Sequence, residues 1–343
     1  MAAIAGLDVH AVTGWIDELG LGAEPPLAFS RLGRGKSNLT YLIRDAAGRR
    51  WVLRRPPLGE LLASAHDVAR EYRVLSALQH TRVPAPEALA LSTDPTVCDV
   101  PLLLMEHVEA AAVDSIDAAR ALPEERRRAL GRSMPEVLGR IHGVDLDATG
   151  LTGLASHKPY AERQLKRWRG QWEQSRTRDL PLVDELADRL AAHVPEQREV
   201  VLVHGDFHLL NVLVERERGV VRAVLDWELC TLGDPLADLG GLLAYWPQAD
   251  DDPIAGSAPL STLPGFPPRD ELAAIYAETT GRDLTALPFW HALACWKVAV
   301  IIEGVRRRAL DTPENAGTAG VLDAQIVDNL VERARQVADA AGI

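Results

Sequence analysis

Residues 201–214, VLVHGDFHLLNVLV, set five polar or flexible positions between two apolar, β-branched runs. His204, Gly205, Asp206, His208 and Asn211 interrupt what otherwise reads as buried strand. Three readings compete. His204, Asp206 and His208 alternate, so a continuous strand would put all three on one face as a zinc or iron site. Asp206 and Asn211 stand five residues apart, the spacing of a phosphoryl-transfer loop in which an Asp takes the acceptor proton and an Asn meets Mg²⁺. The third reading is a tight turn with satisfied hydrogen bonds.

The residues C-terminal to this stretch separate the three. NVLVERERGVVRAVLDWE reads as strand, turn at Glu215 to Gly219, strand, then Asp226 at the end of an apolar run. A phosphoryl-transfer site needs such a second carboxylate for the metals that bridge phosphates. A metal hydrolase of the H-x-D-x-H type calls for neither Asn211 nor Asp226.

The rest of the chain supplies a setting. Its 343 residues are 47% apolar and 25% charged, enough to bury a core and long enough for two domains or lobes. A net charge of −12 argues against nucleic-acid binding through general basicity. Cys98, Cys230 and Cys295 are scattered and suggest neither a disulfide scaffold nor a zinc-cysteine site. The N-terminus has no basic residue before its apolar stretch, and FWHALACWKVAVIIEG reads as too short and too polar for a membrane span. A cytoplasmic protein without nucleic-acid or membrane partners is expected.

A short helix capped by Asp8 and closed by Gly20 comes first. Next come strands on either side of a glycine-rich loop and a turn at Asp45 to Arg49, and the third strand ends at Pro56-Pro57. SAHDVAREYRVLSALQ is helical, with Val68, Tyr72, Leu75 and Gln79 on a stripe. VPAPEALAL and VPLLLMEHV read as strands. After Ala110 the texture is helical, with Pro135 kinking or dividing one helix, and 247–268 is a loop. The expected architecture is α+β: a β-rich N-terminal lobe, 1–108, and a mainly helical C-terminal lobe, 109–343. GRGKSN, residues 33–38, holds half of a P-loop, but Ser30 stands where the first glycine should be and a strand pattern comes after it. A glycine hairpin loop, either plain or cradling phosphates through backbone N–H groups, fits better.

Together HGDFHLLNVLV, VLDWELCTLGDPLADLG, RLGRGKSNLTYLI, WVLRRPP, REYRVLSAL and PLLLMEHVEA resemble, in order and over nearly the whole chain, the aminoglycoside phosphotransferase and choline-kinase-like family. RQLKRWRGQWEQS and ACWKVAVIIEGVRRR resemble in particular the branch that accompanies certain acyl-CoA dehydrogenases. The resemblance implies a protein-kinase-like fold and an ATP- and Mg²⁺-dependent phosphotransferase. It implies Asp206 as base, Asn211 and Asp226 as Mg²⁺ ligands, and nucleotide contacts from Gly33, Gly35, Ser37 and Asn38. Met105 to Val108, including Glu106, would be the hinge strand at adenine, and Glu71 would pair with the basic residue of the third strand. One departure stands out: that residue is Arg54 rather than the usual Lys, so the phosphate pose differs.

Several residues read as structural. His204 and Asp238 would fix the loop, Asp234 would cap a turn, and His208 would lie at the surface or on the substrate side. Trp168 and Trp172 would be core, Trp227 would pack, and His142 would be buried and bonded. Taken alone, Glu71 reads as an exposed helix charge. Arg163, Lys166, Arg167, Arg169, Arg176 and Arg178 form either a solvated face or a patch for an anionic acceptor. The expected reaction phosphorylates a hydroxyl of a small, anionic metabolite, such as a hydroxyacyl compound linked to acyl-CoA metabolism. A polycationic aminoglycoside would prefer an acidic cleft. The alternative of a different kind is an inactive, nucleotide-binding kinase-like protein.

Overall fold

The computed structural model describes residues 4, 6–32, 38–58, 67–156, 158–249, 251, 259–311 and 321–343. Gly33, Gly35 and Ser37 lie outside them. The chain forms two compact units, Met1–Glu109 with Arg222–Cys230, and Ala110–Val221 with Thr231–Ile343.

The first unit opens with α1 (Val9–Glu18), whose first amides, His10 and Ala11, donate to the Asp8 carboxylate. Strands β1 (Ala28–Leu32), β2 (Leu39–Arg44) and β3 (Arg50–Arg55) precede α2 (Val68–Leu78), β4 (Ala88–Ser92) and β5 (Leu102–Glu106). They form an antiparallel sheet in the order β1-β2-β3-β5-β4. Strand alternation sorts its faces. Tyr41, Ile43, Trp51, Leu53, Leu102 and Leu104 bury against Val12 and Ile16 of α1. The same alternation sends the adjacent arginines of β3 apart: Arg55 donates to the Gly6 carbonyl, and Arg54 turns to α2. The buried stripe of α2 is Val68, Glu71, Val74, Leu75 and Leu78, so Val68 and Leu75 of the expected stripe hold while Tyr72 and Gln79 do not. Gln79 is exposed and Tyr72 only partly buried, because a charged Glu71 takes a core position.

The second unit begins with β6 (Ala111–Ala112), α3 (Ile116–Arg120), α4 (Glu124–His142), α5 (Tyr160–Ser175) and α6 (Pro181–Ala192). Helix α4 runs undivided through Pro135. Leu130, Met134, Val137, Leu138 and Ile141 are buried around the missing hydrogen bond, and their packing offsets its loss. Next come β7 (Val201–Val203), β8 (Val212–Glu215), β9 (Val220–Val224), whose residues from Arg222 group with the first unit, and β10 (Thr231–Gly233). β7 pairs antiparallel with β10, and β6 with β8. The chain ends in α7 (Pro235–Ala244), α8 (Arg269–Thr280), α9 (Leu287–Asp311) and α10 (Ala324–Ala341). Helix α9 has 25 residues, longer than the apolar run suggested, and by length and composition it could cross a membrane. Of its most apolar stretch 67% is buried inside the protein, so it is a core helix. Gly240 of α7 lets the Trp290 backbone approach closely enough that a Cβ there would meet the Trp290 carbonyl carbon at 2.6 Å.

Candidate active site

Each unit carries one cluster of the expected residues. In the first, Arg54 is the hub. Its Nη1 donates to Glu71 Oε1 at 2.6 Å and its Nη2 to Asp226 Oδ1 at 3.0 Å. Glu71 is 1% exposed at its side chain. Burial pushes its carboxyl up to about 7; Arg54 opposes this, while Asp226 and Glu228 add to it. Burial disfavours the Arg54 charge, but Glu71, then Asp226 and Glu228, more than offset this and raise it. Asp226 holds φ 64°, the only non-glycine residue at positive φ among the described residues. Such a backbone costs on the order of 1–3 kcal/mol and marks a side chain whose aim is enforced. Trp227 packs as expected, buried, its indole donating to the Val224 carbonyl. Asn38 donates from Nδ2 to Glu228 Oε2 at 3.1 Å, and its buried Oδ1 finds no partner among the described residues. Glu106 ends β5, and His107 and Val108 continue beyond it, so the expected hinge strand is half strand and half loop.

In the second unit, β7 delivers His204, and Gly205 turns the chain at φ 85°. Asp238, in the first turn of α7, accepts from the amides of His204 (2.6 Å) and Gly205 (2.8 Å). Asp234 caps α7 through the Leu236 amide. His142 is buried and bonded to Tyr276 and Asp238. These supporting roles match the sequence reading. Asn211 lies at the end of a 3₁₀ turn and donates from Nδ2 to the Asp206 carbonyl (2.9 Å) and to Asp206 Oδ2 (3.0 Å).

Of the two places expected for His208, the structure gives the one beside Asp206. His208 is not a surface residue: its Nδ1 accepts from the Leu210 amide and its Nε2 lies 3.3 Å from Asp206 Oδ2. Its ring packs 4.5 Å from Tyr245. Burial alone would raise the Asp206 carboxyl, but His208, then Lys297 and His204, outweigh it and hold it at about 2. Nor do the two histidines and Asp206 form a metal set. His204 is fully buried with Nδ1 accepting from the Asp206 amide. Among the described residues no three His, Cys, Asp or Glu side chains converge for a metal ion.

A narrow slot adjoins Asp206, with about 40 Å³ of room for water-sized molecules. Tyr160, Trp168, Tyr245, Trp290 and Lys297 line it. Trp168, expected as plain core, is therefore also a wall, while Trp172 is fully buried. The basic run on and after α5 is not one patch. Arg163 donates to the Leu232 carbonyl, Arg169 pairs with Asp188 and Arg178 with Asp328. Arg167 stacks on the Trp168 ring, while Lys166 and Arg176 are exposed. Sequence reading missed Lys297 and Tyr245 as neighbours of Asp206, and Glu228 as the partner of Asn38. For Lys297 the signal was a lone ammonium inside an apolar helical run; for Tyr245 there was none.

Residues 28–290 match the model of the phosphotransferase enzyme family. The chain belongs to that family. Among curated proteins it is 36% identical over 304 residues to acyl-CoA dehydrogenase family member 10 of Mus musculus, covering 88% of this chain and 28% of that one. To family member 11 of Homo sapiens it is 32% identical over 326 residues, covering 93% and 41%. The chain thus spans less than half the length of these relatives. A solved structure from Ralstonia eutropha, grouped with the aminoglycoside phosphotransferases, superposes with TM-score 0.79 at 28% identity over 96% of this chain and 99% of that one. An aminoglycoside phosphotransferase in ternary complex with AMP-PNP and hygromycin B shares the fold, with TM-score 0.57 and 17% identity over 92% and 97% of the two chains. The kinase-like α+β fold and the kinship with the acyl-CoA dehydrogenase branch therefore stand as the motifs implied.

Proposed function

We propose that the chain is an ATP- and Mg²⁺-dependent phosphotransferase acting on a hydroxyl of a small metabolite, with Asp206 as the base. The observation that carries this reading is the state of Asp206: a carboxyl held at about 2 and bonded to His208 and Asn211. A carboxylate in that state can orient an alcohol and receive its proton.

The donor chemistry fits Mg²⁺. Asn211 spends its amide nitrogen on Asp206, which leaves its oxygen as a hard ligand, and Asp226 adds a carboxylate. Asn211 and Asp226 would hold the metal, and Arg54, kept in place by Glu71, would meet phosphate. Asn38 with the Gly33, Gly35 and Ser37 loop would cover the phosphates, and Glu106 and Val108 would face adenine. Bound Mg²⁺ would neutralise phosphate charge during transfer.

The slot is narrow and walled by aromatic rings, which suits a slim acceptor with an apolar chain better than a polycationic oligosaccharide. Relatives named as acyl-CoA dehydrogenase family members support a hydroxyacyl compound and a link to acyl-CoA metabolism. The test is a screen of hydroxyl compounds with ATP and Mg²⁺, read by ADP release. Turnover on hydroxy acids or their thioesters is expected; turnover confined to aminoglycosides would overturn the acceptor assignment.

A further inference from the structure

Three elements converge on the two successive peptides that precede Asp206. From α7, Asp238 Oδ1 accepts the Gly205 N–H at 2.8 Å. From α9, Lys297 Nζ donates to the Gly205 carbonyl at 2.9 Å. From the end of β7, His204 Nδ1 accepts the Asp206 N–H at 3.3 Å. The carbonyl and the N–H at the two ends of the Gly205–Asp206 peptide are therefore both held. Gly205 itself has φ 85°, a conformation other residues rarely adopt. A peptide plane fixed at both ends sets the position of the Asp206 Cα, from which the carboxylate extends.

The ammonium is out of keeping with its helix. Around it α9 buries Leu293, Ala294, Trp296 and Val298. A cation among such neighbours loses hydration, and burial lowers its tendency to stay charged. Asp206 and Asp238 work against that, and Arg167 works with it. The Trp168 ring supports the ammonium from 5.4 Å. An apolar side chain would serve packing at this position without the desolvation cost, so the retained charge points to the loop it touches.

We infer that Lys297 is a positioning residue that locks the Gly205–Asp206 peptide and so aims the Asp206 carboxylate. This rests on the proposed role of Asp206 as base. It acts through the backbone and needs no contact with the acceptor.

The test uses the full chain carrying Lys297→Met or Lys297→Arg. Amide hydrogen exchange at Asp206 and Phe207 is read first, because it needs no substrate. Lys297→Met should speed exchange there at least about tenfold while Leu202 in β7 keeps its protection, and Lys297→Arg, which still donates, should restore most of it. With the acceptor found by the screen, Lys297→Met should lower kcat about 10- to 100-fold and leave KM for ATP within about twofold. Unchanged exchange at Asp206 and Phe207 would overturn the inference, as would a rise in acceptor KM at unchanged kcat. If Lys297→Met does not melt cooperatively, Lys297→Gln is read in the same way. A wild-type chain without turnover would sink the phosphotransferase reading, and the exchange result would still decide the lock.

Discussion

Arg54 gives its two terminal nitrogens to two carboxylates, Glu71 and Asp226, and this double commitment defines its chemistry. A Lys there would be a point charge and could not span both partners with a rigid planar fork. Removing one partner of a buried ion pair leaves the other charge uncompensated, at about 3–5 kcal/mol. Arg54→Met should therefore destabilise by about that amount in urea melts, and adding Glu71→Gln should recover much of the loss. Equal stability of the single and double variants would contradict the pairing. Glu71 also sets a pH signature. Its folded carboxyl lies above the ordinary value, at about 7, so the folded state favours the protonated form. The penalty is absent below about pH 4 and fully present above about pH 7. Stability should fall between those limits, and Glu71→Gln should flatten that part of the curve. Asp206 has the opposite sign: its depressed carboxyl contributes stability at neutral pH that is lost only as pH falls from about 4 towards about 2.

Elements with a regular period were legible in the sequence, and elements set by tertiary contacts were not. The first helix could be read because Asp8 caps it and Gly20 ends it, and the strands because alternation sorts their faces. Half of the α2 stripe was misread because a charged residue, Glu71, occupies a core position, and only its distant partner Arg54 explains that. The loop motif placed Asp206 and Asn211 by spacing and holds His208 and His204, which act on Asp206, yet Lys297 comes from α9 and leaves no local pattern. The α7–α9 crossing gives this scale its own test. Gly240→Ala would drive a Cβ into the Trp290 backbone and should cost about 1–3 kcal/mol. Gly241→Ala meets nothing within 4 Å and should be neutral or stabilising by up to about 1 kcal/mol. Because Gly241 lines the slot, that variant should still raise acceptor KM. Equal melting of the two variants would show that the helices do not rely on the close approach at Gly240.

At the scale of the whole molecule, a chain of net charge −12 sets single cations against the expected site: Arg54 between Glu71 and Asp226 in one unit, and Lys297 on the Gly205 carbonyl in the other. Asp226 groups with the first unit, and the proposed base Asp206 groups with the second. Nucleotide binding and chemistry should therefore separate by mutation. Asp206→Asn removes the proposed base while leaving Arg54 and Asp226 in place, so AMP-PNP with Mg²⁺ should raise the melting temperature of this variant and of the wild type alike. The decisive measurement is acceptor-dependent ADP release by wild type and Asp206→Asn, with AMP-PNP binding measured on both. The expected result is a loss in kcat of at least about 100-fold with nucleotide affinity retained. Equal turnover by the two proteins, or nucleotide binding without acceptor-dependent release by the wild type, would contradict Asp206 as the base of a phosphotransferase.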